Sequence, residues 1–222
     1  MKTNEINIPI DESIKLNGTL NVPSDAGSFV IFSHGSGSSR FSVRNRHVAE
    51  ILNKEKIATL LIDLLTEKED SVFENRFNID LLTKRLVAVT SYMHKLPELK
   101  NLPIGYFGAS TGAASALKAA EKLDDIIHAV VSRGGRPDLA KNSLGYVKAP
   151  TLLIIGSLDE QVIAMNRNAY ELMQCDKKIE IVEGASHLFE EPGTLDKAAD
   201  LATNWFKKHL YNVKVKTHAV HL

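Results

Sequence analysis

The sequence is poor in cysteine, in excess charge of one sign and in long apolar runs, and each shortage excludes a class of protein. Cys175 is the only cysteine among 222 residues, so an internal disulfide is impossible and a cysteine metal site has no partner spacing. Basic and acidic residues number 27 each, so no net charge attracts nucleic acid or an anionic membrane.

The N-terminal segment also lacks the apolar stretch of a signal peptide. No segment reaches the roughly 20 apolar residues that a membrane helix needs. We therefore expect a cytoplasmic protein with no nucleic-acid partner and no membrane partner. The oligomeric state is left open by the sequence.

The sequence does contain a regular alternation of apolar strand-like runs with amphipathic helical segments. Residues 6–10 and 14–22 are typical of an opening hairpin, and strand and helix patterns then alternate to about residue 210. This predicts an α/β fold, with a mostly parallel sheet of about seven or eight strands covered by helices on both faces. No insertion is long enough for a cap domain. We expect one domain over residues 1–210, a C-terminal tail over 211–222, and an acidic surface loop over 64–78 beside the site.

One short stretch, "GYFGASTGAAS" at residues 105–115, surrounds a serine with glycines. Gly108, Ser110 and Gly112 form a G-x-S-x-G pattern that lies between a predicted strand and a predicted helix. A tight strand-to-helix turn of this kind exposes the serine hydroxyl above the sheet. Ser110 is therefore the predicted nucleophile.

A serine hydroxyl needs a base to remove its proton, and the sequence offers eight histidines. His187 lies on the loop after the last predicted strand, where ligands bind in such sheets. His34 ends an earlier strand, and its expected task is to shape the loop that follows. His187 is the predicted base.

The acid that orients this histidine is expected on a strand-end loop between the serine and the histidine. Asp159, in "GSLDE", follows a predicted strand directly. Glu160 is one residue away, and Asp138 on the previous loop is a second alternative that could instead cap a short helix. Asp159 is the preferred acid.

The segment "SHGSGSSR" at residues 33–40 is predicted to supply part of an oxyanion hole. Acyl transfer builds negative charge on a carbonyl oxygen, which backbone N–H groups stabilise. The expected donors are the amides of Ser36 and Thr111. Gly35 is expected beside the substrate, because it stands between the strand end and Ser36.

Several arginines follow the same strand ends. Guanidinium groups bind carboxylate or phosphate in a bidentate manner, so Arg40 and Arg133 are the predicted contacts for an anionic substrate. The alternative is that these arginines pair with Asp63, Glu67 or other acids and only order the acidic loop.

Taken together, "HGSG", "GASTG", "GSLDE" and "GASHLFEEPG" resemble the α/β-hydrolase superfamily, and within it the cap-free dienelactone hydrolase-like proteins. The similarity runs from about residue 12 to 210, and it includes a bacterial branch in which the domain is sometimes fused to a phosphoribosyltransferase domain. It implies serine-hydrolase activity on a small-molecule ester without a metal or organic cofactor. Dienelactone hydrolases use a cysteine nucleophile, and Ser110 in that place favours carboxylesterase chemistry.

The predicted function is thus ester cleavage through Ser110, His187 and Asp159. The same residues could serve an amidase, a thioesterase or an acyltransferase, because fold and triad leave the acyl donor open. A third interpretation is a binding protein that keeps the hydrolase shape without catalysis.

Overall fold

The computed structural model describes residues 2–211 and 213, and its centre is an eight-stranded sheet. The strands lie in the order β1-β2-β4-β3-β5-β6-β7-β8. Strands β3 to β8 are mutually parallel, while β2 is antiparallel to both β1 and β4. The strands are β1 (Lys2–Pro9), β2 (Lys15–Val22), β3 (Ser28–Ser33), β4 (Ile57–Ile62), β5 (Ile104–Ala109), β6 (Ile127–Arg133), β7 (Thr151–Gly156) and β8 (Lys177–Val182).

Helices connect the parallel strands. They are α1 (Val43–Lys54), α2 (Glu67–Asp70), α3 (Ile79–Met93), α4 (Thr111–Lys122), α5 (Lys141–Leu144), α6 (Glu160–Leu172) and α7 (Thr194–Leu210), with 3₁₀ turns at Phe73–Phe77 and Pro137–Ala140. Ser42 caps α1, because its side chain accepts a hydrogen bond from the Asn45 amide at 3.3 Å. The sequence pattern predicts a helix from Ala164 onward, and in the structure helix α6 begins earlier, at Glu160.

The sheet separates two apolar layers. Side chains alternate along a strand, so Phe29 and Ile31 of β3 face one layer and Val30 and Phe32 face the other. Helices α1 and α7 cover the second face, whereas α3, α4 and α6 cover the first. Because both faces are covered, all six residues of β3 are buried, as in other parallel sheets.

The segment over residues 64–78 differs from the expected irregular loop. Thr66 and Glu69 form a capping box that begins α2, with the Thr66 hydroxyl accepting from the Glu69 amide at 3.2 Å. Glu69 also forms an ion pair with the buried Arg85 of α3. The T-x-x-E spacing of this capping box is present in the sequence at Thr66 and Glu69.

The α/β fold, the mostly parallel sheet and the helices on both faces confirm the predicted fold class. Within residues 2–211 the structure contains no separate cap domain. The single domain over 1–210 stays a prediction, and almost all of the predicted tail at 211–222 lies outside the described residues. None of the described helices has the length and apolar character needed to cross a bilayer.

Candidate active site

Ser110 stands at the turn between β5 and α4 in a conformation that serine rarely adopts. Its φ is 52° and its ψ is −125°, a strained geometry that costs of order 1–3 kcal/mol. The turn is held by backbone hydrogen bonds from the Ser110 amide to the Arg133 carbonyl, at 3.2 Å, and from the Arg136 amide to the Ser110 carbonyl, at 3.0 Å.

Both glycines of the G-x-S-x-G pattern are required by close backbone approach. A Cβ at Gly108 would lie 2.5 Å from Ala113 Cα. A Cβ at Gly112 would lie 2.2 Å from the Ser33 carbonyl oxygen. The glycines therefore let β5 and the following helix pass against each other and against the end of β3.

His187 and Asp159 are joined by a hydrogen bond of 2.6 Å between Nδ1 and Oδ2. Because an ionised carboxylate only accepts, the proton lies on His187 Nδ1 and the Nε2 lone pair is left for a substrate-side proton. Asp159 occupies the N-cap position of α6, yet its side chain makes no capping hydrogen bond there. Its carboxylate is directed at the histidine instead.

The loop that carries His187 is fixed on both sides. A Cβ at Gly156 would lie 2.2 Å from the Ala185 carbonyl oxygen, so the end of β7 touches this loop. Glu191 accepts a hydrogen bond from the Ser186 amide at 3.0 Å. That bond holds the pKa of the Glu191 carboxyl below its usual value.

Ser110 and His187 line one cavity of about 270 Å³, at the carboxyl ends of the parallel strands. Gly35 lies against the nucleophile, since a Cβ there would be 3.0 Å from Ser110 Cβ. Among the described residues there is no hydrogen bond between Ser110 and His187. Serine and histidine therefore share a cavity and are not yet in bonding contact, which is common in a site without substrate.

The predicted oxyanion donors are arranged differently from expectation. The Ser36 amide donates a hydrogen bond to the Thr111 hydroxyl oxygen at 2.8 Å. It is therefore already bonded in this arrangement, and the role of Ser36 as an oxyanion donor stays a prediction. Thr111 is the first residue of α4, so its own amide has no acceptor inside the helix.

His34 shapes the loop after β3, as the sequence interpretation had it. Its Nε2 accepts a hydrogen bond from the Leu64 amide at 3.2 Å, so Nδ1 carries the proton and donates to the Gly35 carbonyl at 2.9 Å. Burial lowers the pKa of His34, which keeps the ring neutral. With both nitrogens in use, His34 is not available as a base.

Arg40 lies outside the cavity of Ser110 and His187, which does not support the predicted substrate contact. Its amide donates to Asp63 Oδ1 at 2.7 Å, its guanidinium pairs with the same carboxylate, and Glu5 lies 3.4 Å away. Arg40 lines a different cavity together with Arg46. The alternative interpretation, in which an arginine orders the loops by pairing with Asp63, describes Arg40 correctly.

Arg133, in contrast, lines the cavity of Ser110 and His187. It is 5% exposed, and its Nη2 donates to Asn45 Oδ1 at 3.2 Å. Burial, together with the nearby charge of Arg44, lowers the pKa of Arg133 to about 10. The guanidinium is still fully charged at neutral pH.

The alternative acids are placed elsewhere. Asp138 forms two hydrogen bonds with Arg136, at 2.9 and 2.8 Å, and does not cap the 3₁₀ turn that it belongs to. Glu160 is exposed at the start of α6. Among the described residues no three His, Cys, Asp or Glu side chains are grouped closely enough to hold a metal ion.

Sequence reasoning missed Asn45 and did not select Arg44. Both stand in the first turn of α1 and line the same cavity as Ser110. The arginine was visible in the segment after "HGSGSS", but which of three neighbouring arginines faces the site depends on the helix rotation. Nothing in the sequence singles out Asn45.

Comparison with known proteins identifies the family and the fold. The profile of the dienelactone hydrolase family matches residues 48–212. Two Mycobacterium tuberculosis proteins, from strains CDC 1551 / Oshkosh and H37Rv, are 52% identical over 193 residues, which is 87% of this chain and 44% of theirs. Both bear the provisional name of a phosphoribosyl transferase, and this chain spans less than half of their length.

Among solved structures, a dienelactone hydrolase from Anabaena variabilis is 49% identical, with a TM-score of 0.91 over 94% of this chain and 98% of that chain. Est1E from Butyrivibrio proteoclasticus with ferulic acid bound has a TM-score of 0.80 over 92% of this chain and 98% of its own. At 19% identity, the second likeness concerns the fold alone. The chain therefore belongs to the dienelactone hydrolase family and has the fold of a hydrolase.

Proposed function

We propose that this hydrolase cleaves a carboxylic ester through Ser110, His187 and Asp159. The observation that carries the proposal is the His187–Asp159 hydrogen bond of 2.6 Å beside a serine with a positive φ in the same cavity. A histidine held by a carboxylate on one nitrogen presents the other to a nucleophile.

In the first step, Ser110 Oγ attacks the ester carbonyl while His187 Nε2 takes the hydroxyl proton. Asp159 stabilises the imidazolium that forms and itself stays ionised. The same proton then goes to the leaving alkoxide, so the alcohol departs and the acyl group remains on Ser110. Water next attacks the acyl-enzyme with His187 as base, which releases the acid and restores the serine.

The oxyanion of each tetrahedral intermediate is proposed to bind at the Thr111 amide. A second donor, the Ser36 amide, becomes available when the Thr111 hydroxyl turns away from it, since the two are hydrogen-bonded in the structure without substrate. Two such donors supply several kcal/mol of transition-state stabilisation, at roughly 3–4 kcal/mol for one donor.

Amidase, thioesterase and acyltransferase activities would use the same residues, and a non-catalytic binding role is the remaining alternative. The departure from a cysteine nucleophile supports simple ester cleavage over dienelactone hydrolysis. Phosphoribosyl transfer is not proposed, because it belongs to the name of relatives that this chain covers to 44% of their length.

The test is covalent labelling with a fluorescent fluorophosphonate, followed by intact mass and peptide mapping. We expect one label per chain at Ser110, lost in Ser110→Ala and in His187→Ala, with ester turnover lowered about 10⁴- to 10⁶-fold in Ser110→Ala. His47→Ala is the matched control, because His47 pairs with Asp196 on the surface and does not line the cavity.

Labelling that survives Ser110→Ala would contradict the assignment of the nucleophile. A folded wild-type protein without label and without ester turnover would favour the binding role. Matched ester, thioester and amide substrates then decide which acyl donor is used.

A further inference from the structure

Arg133 is a buried positive charge without a negative partner among the described residues. The residue is only 5% exposed. A guanidinium has five N–H donors, and here one of its nitrogens bonds a neutral oxygen, that of Asn45, while Nε has no partner. A buried charge that is not paired is costly, so its retention calls for an explanation.

The surroundings of Arg133 are also positive. Arg44 lines the same cavity, and its positive charge repels that of Arg133. Arg44 reaches one carboxylate, the exposed Glu190 at 3.1 Å, which is a weak surface pair. The first turn of α1 contains no acidic residue.

The N-terminus of α1 faces the same space. Ser42, Arg44 and Asn45 belong to the start of this 12-residue helix, and all three line the cavity. The Arg133 guanidinium lies at that turn, because its Nη2 bonds Asn45 Oδ1. Helix N-termini favour anions, and Ser38 and Ser42 add hydroxyl groups around the same volume.

We propose that Arg133, Arg44 and the N-terminus of α1 form an anion subsite that binds a phosphate monoester carried by the ester substrate. The proposal rests on the proposed function for the scissile bond, and it adds the substrate class. We name this group of residues the Arg133 subsite.

The Arg133 subsite is close to the nucleophile because the ends of β5 and β6 are paired in the sheet. Arg133 pairs with Ala109 in the sheet, and its carbonyl accepts the Ser110 amide at 3.2 Å. The charged group and the scissile carbonyl are therefore expected on the same small substrate, a few bonds apart, within a cavity of about 270 Å³.

A phosphate suits the subsite better than a carboxylate. Two guanidinium groups and a helix N-terminus together carry more positive charge than one monoanion balances. A phosphate monoester brings up to two negative charges and three terminal oxygens to the available donors. A carboxylate would neutralise one guanidinium, and Arg44 would keep only its weak surface pair with Glu190.

The competing explanation is that Arg133 only packs the cavity wall. Its guanidinium carbon lies 5.6 Å from the centre of the Phe189 ring, which is consistent with a packing role. A packing role predicts that substitution harms all substrates equally. A phosphate-binding role predicts harm that depends on the charge of the substrate.

The first experiment measures binding without catalysis, by titration calorimetry with phenyl phosphate and with benzoate. We expect phenyl phosphate to bind the wild type more tightly than benzoate, and Arg133→Gln and Arg44→Gln each to weaken phenyl phosphate by roughly 10- to 100-fold. Arg133→Lys should retain part of the affinity. Arg46→Gln is the control, because Arg46 lies on α1 like Arg44 but lines a different cavity, the one that Arg40 lines.

The second experiment compares three 4-nitrophenyl esters of similar length: pentanoate, glutarate and 4-phosphonooxybutanoate. We expect kcat/KM to be roughly 10- to 100-fold higher for the phosphorylated ester than for pentanoate, and Arg133→Gln to bring the ratio of these two kcat/KM values close to one.

Three results would overturn the proposal: equal binding of phenyl phosphate and benzoate, preference for glutarate, or an equal loss on all three esters in Arg133→Gln. If Arg133→Gln does not fold, the exposed Arg44 supplies the same test. Binding of phenyl phosphate without hydrolysis of any ester would leave the subsite standing and contradict the proposed function, so the two failures are distinguishable.

Discussion

At the scale of single residues, the candidate site depends on a serine whose backbone conformation is one that glycine adopts more readily. Ser110 has a φ of 52°, and the neighbouring backbone is closed around it by Gly108 and Gly112. A residue in such a conformation costs free energy that the surrounding structure must offset. The conformation of Ser110 therefore lowers the free energy of unfolding while it holds the hydroxyl at the strand-to-helix turn.

This strain predicts that Ser110→Gly stabilises the protein. Glycine adopts positive φ without a Cβ clash, and the released strain should exceed the entropy that glycine adds to the unfolded chain, which leaves a gain of about 1 kcal/mol in the free energy of unfolding. Urea denaturation measures it. Ser110→Ala is the matched control, because it removes the hydroxyl and keeps the Cβ; equal stability of the two variants would contradict the strain.

The sequence allowed the main site residues to be predicted because strand-end loops in this fold meet at one edge. Asp159 and His187 are brought into contact as expected, and Ser110 shares a cavity with His187. The position of Arg40 outside this cavity was not predictable, because its partner, Asp63, lies on another strand end that the sequence does not place next to it. The Ser36–Thr111 and Asn45–Arg133 bonds depend on tertiary register in the same way.

At the scale of elements, the short helix α2 is held in place by a partly buried ion pair. Glu69 caps the turn through Thr66 and pairs with Arg85, whose side chain is 6% exposed. Within the part of the chain that the structure describes, Arg85 Nε has no hydrogen-bond partner, and Glu69 is the carboxylate that pairs with the Arg85 guanidinium. The stability of residues 64–78 is thereby tied to α3.

We predict that Glu69→Ala lowers the free energy of unfolding by about 2–3 kcal/mol, because it leaves the buried Arg85 charge unpaired and removes a cap. Thermal or urea denaturation measures this. Glu67→Ala, an exposed position in the same helix, should change stability by less than about 0.5 kcal/mol. Ester turnover should be kept in both folded variants, and an equal effect of the two would contradict the ion-pair role.

The elements themselves were predictable because each carries a strong apolar period between clear boundaries. The short helix α2, within the expected loop, and the start of α6 were the exceptions. The N-cap position of α6 is filled by Asp159, whose carboxylate is directed at His187 and makes no capping bond. A helix boundary with a functional residue in the cap position gives a weak local signal.

At the scale of the whole molecule, the candidate site lies at the ends of β5, β7 and β8, which are distant in sequence. The side chains of these strands contribute to both apolar layers of the sheet. Helix α7 packs on the same layer as Phe107 of β5 and Val131 of β6. Trp205, the single tryptophan, lies on that helix and is 7% exposed. Its fluorescence therefore reports on the docking of α7 against the sheet.

We predict that Trp205 fluorescence, far-ultraviolet circular dichroism and esterase activity are lost at the same urea concentration. One continuous pair of layers should unfold as a unit. A transition in which Trp205 becomes exposed before activity falls would mean that α7 is a separate unit and would contradict this prediction. Activity lost at a lower urea concentration than both spectroscopic signals would mean that the loops of the site lose their structure before the sheet and helices unfold.

The loop that carries His187 follows the last strand of the sheet, and this has a consequence for the chain during synthesis. Because synthesis runs from the N-terminus, Ser110, the proposed nucleophile, emerges from the ribosome before Asp159 and His187, the proposed acid and base. Under the proposed function, a nascent chain that has formed only its serine turn holds a hydroxyl without its base. Hydrolytic capacity then arises only once β8 has joined the edge of the sheet and the loop of His187 has followed it.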